Sequence, residues 1–270
     1  VKKNSQGLFL SQSQYARDIL TRAHLTALRP ITTPISVKPS QVKAADTAFA
    51  DQTQYRSLVG ALQYLTLTRP NLSYAVNIVC QYMHAPTNLH FQMVKRILRY
   101  ISGTLEMGLQ IHRQSTLRLY AFSDSDWAGC PETRCLTKGF CTLLGSNLLS
   151  WSTKKQPTVS RSRSEAEYRA MATTAAELTW ISFLLQDIGV PQLQPATLFC
   201  DNINALHMTI NPVFHAQSKH IELDCQFITE KLALGQIVTK FVPSHRQVAD
   251  IFTKPLSRDV FTTLRGKLSL

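Results

Sequence analysis

The stretch LRLYAFSD, residues 117–124, opens a series of three strand-like runs that decides the fold of this chain. The second run is TKGFCTLLG (137–145) and the third is NLLSWSTKK (147–155). Gly145 and Ser146 separate the last two runs, which is typical of a short hairpin turn. The three runs therefore predict an antiparallel meander.

Further strands and helices follow the meander. A helical pattern runs from about Ser164 to Asp187, and Gly189 and Pro191 then end it. Two apolar runs predict a fourth and a fifth strand, ATLFCD (196–201) and QIVTKFVP (236–243). Shorter helices are predicted at 202–210, 221–234 and 246–253. The series predicts an α/β domain at 113–256, with a five-stranded mixed sheet flanked by helices.

The residues before 113 predict a mostly helical region. A short strand at 7–12 precedes a helix over 14–25 that Ser13 would cap, and three prolines mark 29–54 as a linker. Three helical patterns follow, at 55–68, 72–83 and 88–104, the last capped near Asn88 and ended at Gly103. The polar face of the last helix carries Lys95, Arg96 and Arg99. This face is either solvated or in contact with phosphates, and the pattern does not decide between these.

Composition indicates a polyanionic partner. The 270 residues include 29 Lys and Arg against 17 Asp and Glu, a net charge of +12, which favours nucleic acid. No apolar run is long enough to span a membrane and no signal peptide is evident, so we expect an intracellular protein without a membrane partner. The chain starts at Val1, so we expect a piece of a longer polypeptide.

The six cysteines predict neither a disulfide framework nor a metal cluster. They contain no CxxC motif, and Cys141 and Cys200 fall inside apolar runs that predict buried strands. We therefore expect reduced thiols in the core.

Four carboxylates lie at the ends of apolar strands or at core-edge helix positions. Burying a charge there is costly, so an acid in such a position often has a function. Asp124 ends the first strand, Glu167 lies at the start of the long helix, Asp201 ends the fourth strand, and Asp250 lies near the last helix. Each one alone has a structural explanation as a cap, a turn residue or an exposed acid.

Taken together, the carboxylates predict a metal site. The first strand, the fourth strand and the long helix are neighbours in a layered fold, so their acids can converge at one edge. Clustered carboxylates repel one another unless cations lie between them, and Mg²⁺ or Mn²⁺ suits an all-oxygen set. Two such ions serve an in-line displacement at phosphorus, which makes a basic protein of this kind a candidate nuclease.

Helix geometry predicts that Glu167, rather than Glu165, belongs to the site. Residues two apart point to nearly opposite sides of a helix. The Glu167 side continues into an apolar stripe that must face the sheet, comprising Met171, Leu178, Ile181 and Leu185.

Several of these motifs, in this order, resemble a known family. They are AFSDSDWAG (121–129), SRSEAEYRAMA (162–172), TLFCDN (197–202), KHIELD (219–224) and VPSHRQVADIFTKPL (242–256). They resemble the ribonuclease H domain of copia-type retrotransposon Pol polyproteins. LFLSQSQYARDIL (8–20) is similar to the end of that family's reverse transcriptase palm, and residues 55–76 and 90–104 are similar to its thumb and connection helices.

The resemblance implies a fold, a reaction and a domain division. It implies a ribonuclease H-like fold in which Asp124, Glu167, Asp201 and Asp250 bind two Mg²⁺ ions, with Mn²⁺ as a substitute, and hydrolyse the RNA strand of RNA–DNA hybrids. The implied division is a palm end (1–28), linker (29–54), thumb and connection (55–112), ribonuclease H domain (113–256) and C-terminal helix (257–270). Upstream palm and fingers would be partners, in a cytoplasmic virus-like particle. The paired polymerase aspartates are absent from this sequence, so it should not polymerise.

Further candidates concern proton transfer and substrate binding. His245, five residues before Asp250, is either a proton shuttle or a surface histidine. Discrimination of RNA from DNA requires contacts to 2′-hydroxyls on one strand and to both backbones. The candidates for these contacts lie in the polar run 156–163 and beside Asp201: Thr158, Ser160, Arg161, Ser162, Arg163 and Asn202.

Two other functions fit the same pattern. One is a catalytically silent, nucleic-acid-binding remnant of such a polyprotein. The other is a different two-metal enzyme, such as an integrase or a resolvase, although the contexts KHIELD and ADIFTKPL do not suggest it.

Overall fold

A computed structural model describes residues 1–24, 28–37, 47–126, 136–156, 160, 162–210 and 222–270. The chain divides into two compact units, one of residues 1–113 with 255–270 and one of residues 114–254. The predicted subdivision of the first 112 residues stays a prediction. Within the described residues, no helix is both long enough and apolar enough to cross a membrane.

The first unit combines a small sheet with helices. Its strands are β1 (Lys2–Asn4), β2 (Gly7–Leu10) and β3 (Leu109–His112), paired antiparallel in the order β1-β2-β3. Its helices are α1 (Ser13–Arg22), α2 (Gln52–Leu65), α3 (Ser73–Cys80), α4 (Asn88–Ser102) and, at the end of the chain, α8 (Arg258–Lys267). The sequence patterns missed β1 and β3, because such short strands become recognisable only beside β2.

The helix ends in this unit correct several predictions. Ser13 is the first residue of α1, and Gln12 before it makes no side-chain cap. Asp51 caps α2, so this helix begins three residues earlier than predicted. Thr87, rather than Asn88, caps α4 through a reciprocal pair of hydrogen bonds with His90. A 3-10 turn, Pro70–Leu72, precedes α3.

The second unit is built on the predicted five-stranded mixed sheet. Its strands are β4 (Leu119–Asp126), β5 (Thr137–Leu144), β6 (Asn147–Lys155), β7 (Ala196–Cys200) and β8 (Ile237–Phe241). Their order is β6-β5-β4-β7-β8, with β4, β5 and β6 antiparallel and with β7 parallel to both β4 and β8. The meander and the fourth and fifth strands are therefore confirmed.

Helices pack against this sheet around one core. They are α5 (Arg163–Asp187), α6 (Ile203–Ile210) and α7 (Glu222–Ala233). The stripe predicted on α5 lies in the core, where Met171, Leu178, Ile181 and Leu185 join Leu198 and Cys200 of β7. Burial of an apolar stripe against the sheet is what holds so long a helix in place.

The β5–β6 hairpin requires its glycine. Gly145 has φ +60, and a Cβ there would lie 2.2 Å from the Thr116 carbonyl oxygen. A larger residue would therefore be strained in both backbone conformation and space.

One boundary and one helix predicted in this unit were wrong. The strand β4 does not end at Asp124 but continues to Asp126, because Ser125 and Asp126 pair with Lys138 and Thr137. The helix predicted over 246–253 is replaced by two 3-10 turns, Ser244–Arg246 and Val248–Phe252.

Candidate active site

The two central parallel strands bring Asp124 and Asp201 to one edge of the sheet. The register between β4 and β7 runs from Tyr120–Thr197 to Phe122–Phe199. Asp124 lies two residues beyond the last pair on β4, and Asp201 follows directly after β7. Asp124 is fully buried and Asp201 is half-buried.

Glu167 approaches the same edge from the first turns of α5. Its side chain is fully buried. One carboxylate oxygen of Glu167, one of Asp201 and the Cys200 sulfur all lie within 4.8 Å of one another. Glu165 instead points to Arg169 on its own helix, at 3.1 Å. The structure therefore brings Glu167, and not Glu165, to Asp201.

Asp250 reaches the cluster through the 3-10 turn Val248–Phe252 and through Lys254. The Lys254 ammonium lies 2.9 Å from Asp250 Oδ1 and 3.4 Å from Asp124 Oδ2. The Thr253 hydroxyl donates a hydrogen bond to Asp124 Oδ2. One short segment, Asp250–Lys254, thus supplies an acid, a hydroxyl and an ammonium to the site.

The cluster leaves carboxylate oxygens without hydrogen bonds. Asp124 Oδ1, both oxygens of Glu167 and Asp201 Oδ1 are buried and have no hydrogen-bond partner in the described part of the chain. Unpaired buried carboxylate oxygens are costly, and a divalent cation with oxygen ligands would satisfy them. The donor set therefore fits Mg²⁺ or Mn²⁺.

Burial and mutual repulsion shift the pKa values of Asp124, Glu167 and Asp250 upward. Burial, then Asp124 and Asp201, raise the pKa of Glu167 to about 9. Burial and Asp124 raise the pKa of Asp250 to about 7, although Lys254 lowers it. Burial likewise raises the pKa of Asp124 against the lowering effects of Lys254 and Thr253. Burial lowers the pKa of Lys254, but Asp124 and Asp250 outweigh it and the net pKa is raised.

These shifts predict that the metal-free protein loses stability as the pH rises. Between the ordinary pKa of 4.5 for Glu167 and its folded value of about 9, the folded state binds more protons than the unfolded state. Stability then falls with rising pH across that window. In EDTA, we expect the melting temperature to drop by about 5 °C or more from pH 6 to pH 9.

The matched variant for that measurement is Glu167→Gln, whose amide cannot ionise. Its melting temperature should change less over the same pH range, and Mg²⁺ should stabilise the wild type more at pH 9 than at pH 6. A wild type and a Glu167→Gln variant with the same pH slope would show that Glu167 is not buried beside other charges.

The other predicted site residues lie in different environments. His245 is exposed on the 3-10 turn Ser244–Arg246, next to Ser244, whose hydroxyl donates to Asp201 Oδ2 at 2.9 Å. Asn202 accepts a hydrogen bond from the Ala205 backbone N–H at 3.0 Å, so its side-chain oxygen caps α6.

The polar run before α5 is only partly described. Ser160 is buried, and its hydroxyl lies 3.5 Å from the Gln156 side-chain oxygen. Ser162 caps α5 by accepting from the Glu165 backbone N–H. Arg163 is exposed, and its charge acts on Glu167. Thr158 and Arg161 lie outside the described residues.

Two of the three predicted basic residues on α4 are held within the first unit. Arg96 donates to the Thr33 hydroxyl at 2.9 Å, and Arg99 donates to the Arg29 carbonyl at 2.9 Å. Lys95 is exposed and lies over the Phe91 ring. Arg96 and Arg99 therefore hold the segment before α2 in place, a role that the helical periodicity could not reveal.

Sequence reasoning missed Thr253, Lys254 and the position of the Cys200 thiol. Thr253 and Lys254 stand three and four residues after Asp250, a spacing that places side chains on one side of a helical turn. That spacing was the available signal for Lys254. The signal for Cys200 was its position directly before Asp201.

The comparisons with known proteins agree with the sequence motifs. The chain is 44% identical over 269 residues to the retrovirus-related Pol polyprotein from transposon RE2 of Arabidopsis thaliana, covering 100% of this chain and 18% of that polyprotein. The corresponding polyprotein from transposon RE1 of the same plant is 43% identical over 269 residues, again covering 100% of this chain and 18% of that polyprotein. The chain belongs to the Pol polyprotein family of copia-type retrotransposons.

This Pol segment therefore spans less than a fifth of the length of those relatives, 18%. An uncharacterized mitochondrial protein of Arabidopsis thaliana is 56% identical over 182 residues, covering 67% of this chain and 75% of that protein. No family model matches the chain.

Solved structures include ribonuclease H domains among the similar folds. An N-terminal RNase H domain from Mycobacterium tuberculosis, solved as a fusion with maltose binding protein, is 15% identical, covers 56% of this chain and 98% of that chain, and has a TM-score of 0.37. LC11-RNase H1 in complex with RNA/DNA hybrid is 14% identical, covers 50% of this chain and 94% of that chain, and has the same TM-score of 0.37. The ribonuclease H-like class rests on the order and directions of the five strands.

Proposed function

We propose that residues 114–254 of this Pol segment hydrolyse the RNA strand of RNA–DNA hybrids during retrotransposon reverse transcription, using two divalent ions. The observation that carries the proposal is the set of buried, unpaired oxygens on Asp124, Glu167 and Asp201, whose charges act on one another and, through Asp124, on Asp250. The names of two relatives, retrovirus-related Pol polyproteins from transposons, support a role within such a polyprotein.

The chain's own residues would prepare the site for phosphoryl chemistry. Asp124, Glu167, Asp201 and Asp250 would hold Mg²⁺ or Mn²⁺. The bound ions would supply activation of the attacking water and stabilisation of the leaving oxygen. Thr253 fixes one oxygen of Asp124, and Ser244 fixes one oxygen of Asp201, so each carboxylate keeps its other oxygen free.

His245 and Lys254 are placed for supporting roles. His245 neighbours Ser244, which contacts Asp201, so its imidazole could move a proton close to the leaving group. Lys254 offsets the repulsion between Asp124 and Asp250, and it lowers the pKa of both carboxyls against the raising effect of burial.

Exposed cations near the cluster would contact the hybrid backbones. Arg163 stands at the start of α5, where its charge acts on Glu167 and Asp126. Arg163 is exposed, whereas the side chains of Ser162, Asn202 and Ser160 are engaged within the fold. We therefore place backbone binding on Arg163 ahead of the other candidates, and Thr158 and Arg161 remain candidates from the sequence.

We expect salt-dependent hybrid binding in which Arg163 accounts for one phosphate contact. The logarithm of the binding constant should fall linearly with the logarithm of salt concentration, with a slope near −0.9 per contact on B-form DNA and a comparable or shallower slope on a hybrid. Arg163→Gln should reduce the slope by about one contact. Fluorescence anisotropy with Asp124→Asn, which would bind without cutting, checks this.

The matched control is Arg99→Gln, because Arg99 is already hydrogen-bonded to Arg29 within the first unit. Its slope should equal that of the Asp124→Asn background. Equal slopes for Arg163→Gln and the background would remove Arg163 from the interface.

The remaining expectations concern the rest of the polyprotein. The upstream reverse transcriptase palm and fingers would be the partners of this segment, in a cytoplasmic virus-like particle. The segment should not polymerise, because the paired polymerase aspartates are absent from its sequence.

A catalytically silent nucleic-acid-binding remnant is the second candidate function. Lys254 favours it, because this ammonium already neutralises two of the four acids without an added ion. Such a remnant would bind hybrid and leave it uncut.

One substrate comparison tests these functions. The full chain is incubated with end-labelled RNA–DNA hybrid, duplex DNA and duplex RNA, with and without Mg²⁺. We expect cleavage of the RNA strand of the hybrid when Mg²⁺ is present. Duplex DNA and duplex RNA should stay intact, and no substrate should be cut without Mg²⁺. Cleavage of duplex DNA would favour another two-metal enzyme, and binding without cleavage would favour the silent remnant.

A further inference from the structure

Cys200 is the one thiol among the described cysteines that stands with the carboxylates, and the metal chemistry considered above does not use it. Its side chain is fully buried at the end of β7. The sulfur lies within 4.8 Å of oxygens from both Glu167 and Asp201. This gives the cluster a mixed sulfur and oxygen face.

A second observation shows that this face can accept a cation. Glu167 is fully buried, and neither of its carboxylate oxygens has a hydrogen-bond partner in the described residues. The Asn202 backbone N–H donates to the Cys200 sulfur at 3.4 Å. This donor is compatible with a metal-bound sulfur, whereas burial and the charge of Glu167 raise the pKa of the free thiol, so the incoming ion has to displace its proton.

The spacing of the three ligand atoms suits a small tetrahedral ion. Zn²⁺ binds sulfur at about 2.3 Å and carboxylate oxygen at about 2.0–2.2 Å, which places neighbouring ligand atoms about 3.5 Å apart. The three ligand atoms lie at most 4.8 Å apart. Rotation of the Glu167 and Asp201 side chains therefore has to shorten these distances by little more than about 1 Å to reach the spacing around Zn²⁺. Thiolate ligands select Zn²⁺ and Cd²⁺ over Mg²⁺, which prefers oxygen and octahedral geometry.

We propose that Cys200, Glu167 and Asp201 form a binding site for Zn²⁺ or another thiophilic divalent ion, distinct in chemistry from the Mg²⁺ site and overlapping it through two carboxylates. Binding releases the thiol proton to solvent as the metal–sulfur bond forms. An ion held there occupies Glu167 and Asp201, so it excludes Mg²⁺ from them. The binding itself is independent of hybrid cleavage, whereas its inhibitory consequence rests on the proposed function.

Cadmium absorption tests the site without relying on activity. Cd²⁺ bonded to a thiolate gives a sulfur-to-metal charge-transfer band in the ultraviolet. The metal-free full chain is titrated with Cd²⁺, and a band that saturates near one equivalent is expected. Cys200→Ser should remove that band, and Cys141→Ser should keep it, because Cys141 is equally buried but lies on β5 and is absent from the cluster.

Two carboxylate variants keep the proposal testable if Cys200→Ser does not fold. Glu167→Gln and Asp201→Asn keep the thiol. Each variant should weaken Cd²⁺ binding at least about tenfold, the lower end of what is lost when a residue that supports a metal ligand is replaced. A wild type without the band, or a band that survives Cys200→Ser, overturns the proposal. A band insensitive to both carboxylate variants does so as well.

The inhibitory consequence has a separate readout. Zn²⁺ should suppress hybrid cleavage in the presence of Mg²⁺, and Cys200→Ser should raise the inhibitory Zn²⁺ concentration about tenfold or more. If the chain cleaves no hybrid at all, the proposed function fails while the cadmium band still decides the thiol site. If Zn²⁺ inhibits the wild type and Cys200→Ser equally, the inhibitory Zn²⁺ does not bind at Cys200, and the inhibitory consequence is contradicted.

Discussion

Glu167→Gln is expected to lower hybrid cleavage by orders of magnitude while the protein stays folded. The substitution keeps the size of the side chain and removes the charge of an acid whose two oxygens are buried and unpaired. Burial, then the charges of Asp124 and Asp201, raise the Glu167 pKa to about 9, and the amide cannot ionise, so at pH 9 the metal-free variant should melt at the same or a higher temperature. Single-turnover cleavage assays and thermal melts on the same preparation check both expectations.

Glu165→Gln is the matched control on the same helix. Glu165 is buried too, but it pairs with Arg169 at 3.1 Å and faces away from Asp201. We expect it to keep most of the activity and to lose at most about 1.5–3 kcal/mol of stability, the usual value of a hydrogen bond to a charged group. A large loss of activity in Glu165→Gln with full activity in Glu167→Gln would show that the two faces of α5 are exchanged.

Asp201→Asn is expected to abolish cleavage with little change in fold. The asparagine oxygen can still accept the hydrogen bond from Ser244, but the charge that would bind a cation is lost. Ser244→Ala, the matched control, leaves the Asp201 charge and removes only the hydroxyl that orients it, so about a tenfold loss is expected. Wild-type turnover in Asp201→Asn would contradict the site, and unfolding would make Asp201 a structural residue.

The sheet of the second unit was predictable because its strands carry local signals. The runs at 137–145 and 147–155 have the apolar content and the glycine turn of a hairpin, and both strands form with Gly145 at φ +60. The end of β4 was not predictable in the same way. Ser125 and Asp126 are polar residues that continue a strand only because β5 pairs with them.

The site was partly predictable for a similar reason. Acids placed at or near the ends of parallel strands meet at one edge, so Asp124 and Asp201 could be brought together from strand order alone. The spacing of Lys254 four residues after Asp250 predicts that these two side chains meet, but it does not reveal that the ammonium also reaches Asp124. Arg96 donates a hydrogen bond to Thr33, which lies in the irregular segment before α2. The helical periodicity around Arg96 carries no information about where that segment runs.

Binding of Mn²⁺ to the metal-free full chain, measured by isothermal titration calorimetry, tests the carboxylate site most directly. We expect saturable binding by the wild type and by Glu165→Gln, with binding weakened more than about tenfold in Asp124→Asn and Glu167→Gln. Binding that is equal in the wild type and Asp124→Asn, or no binding by the wild type at millimolar Mn²⁺, would contradict this site.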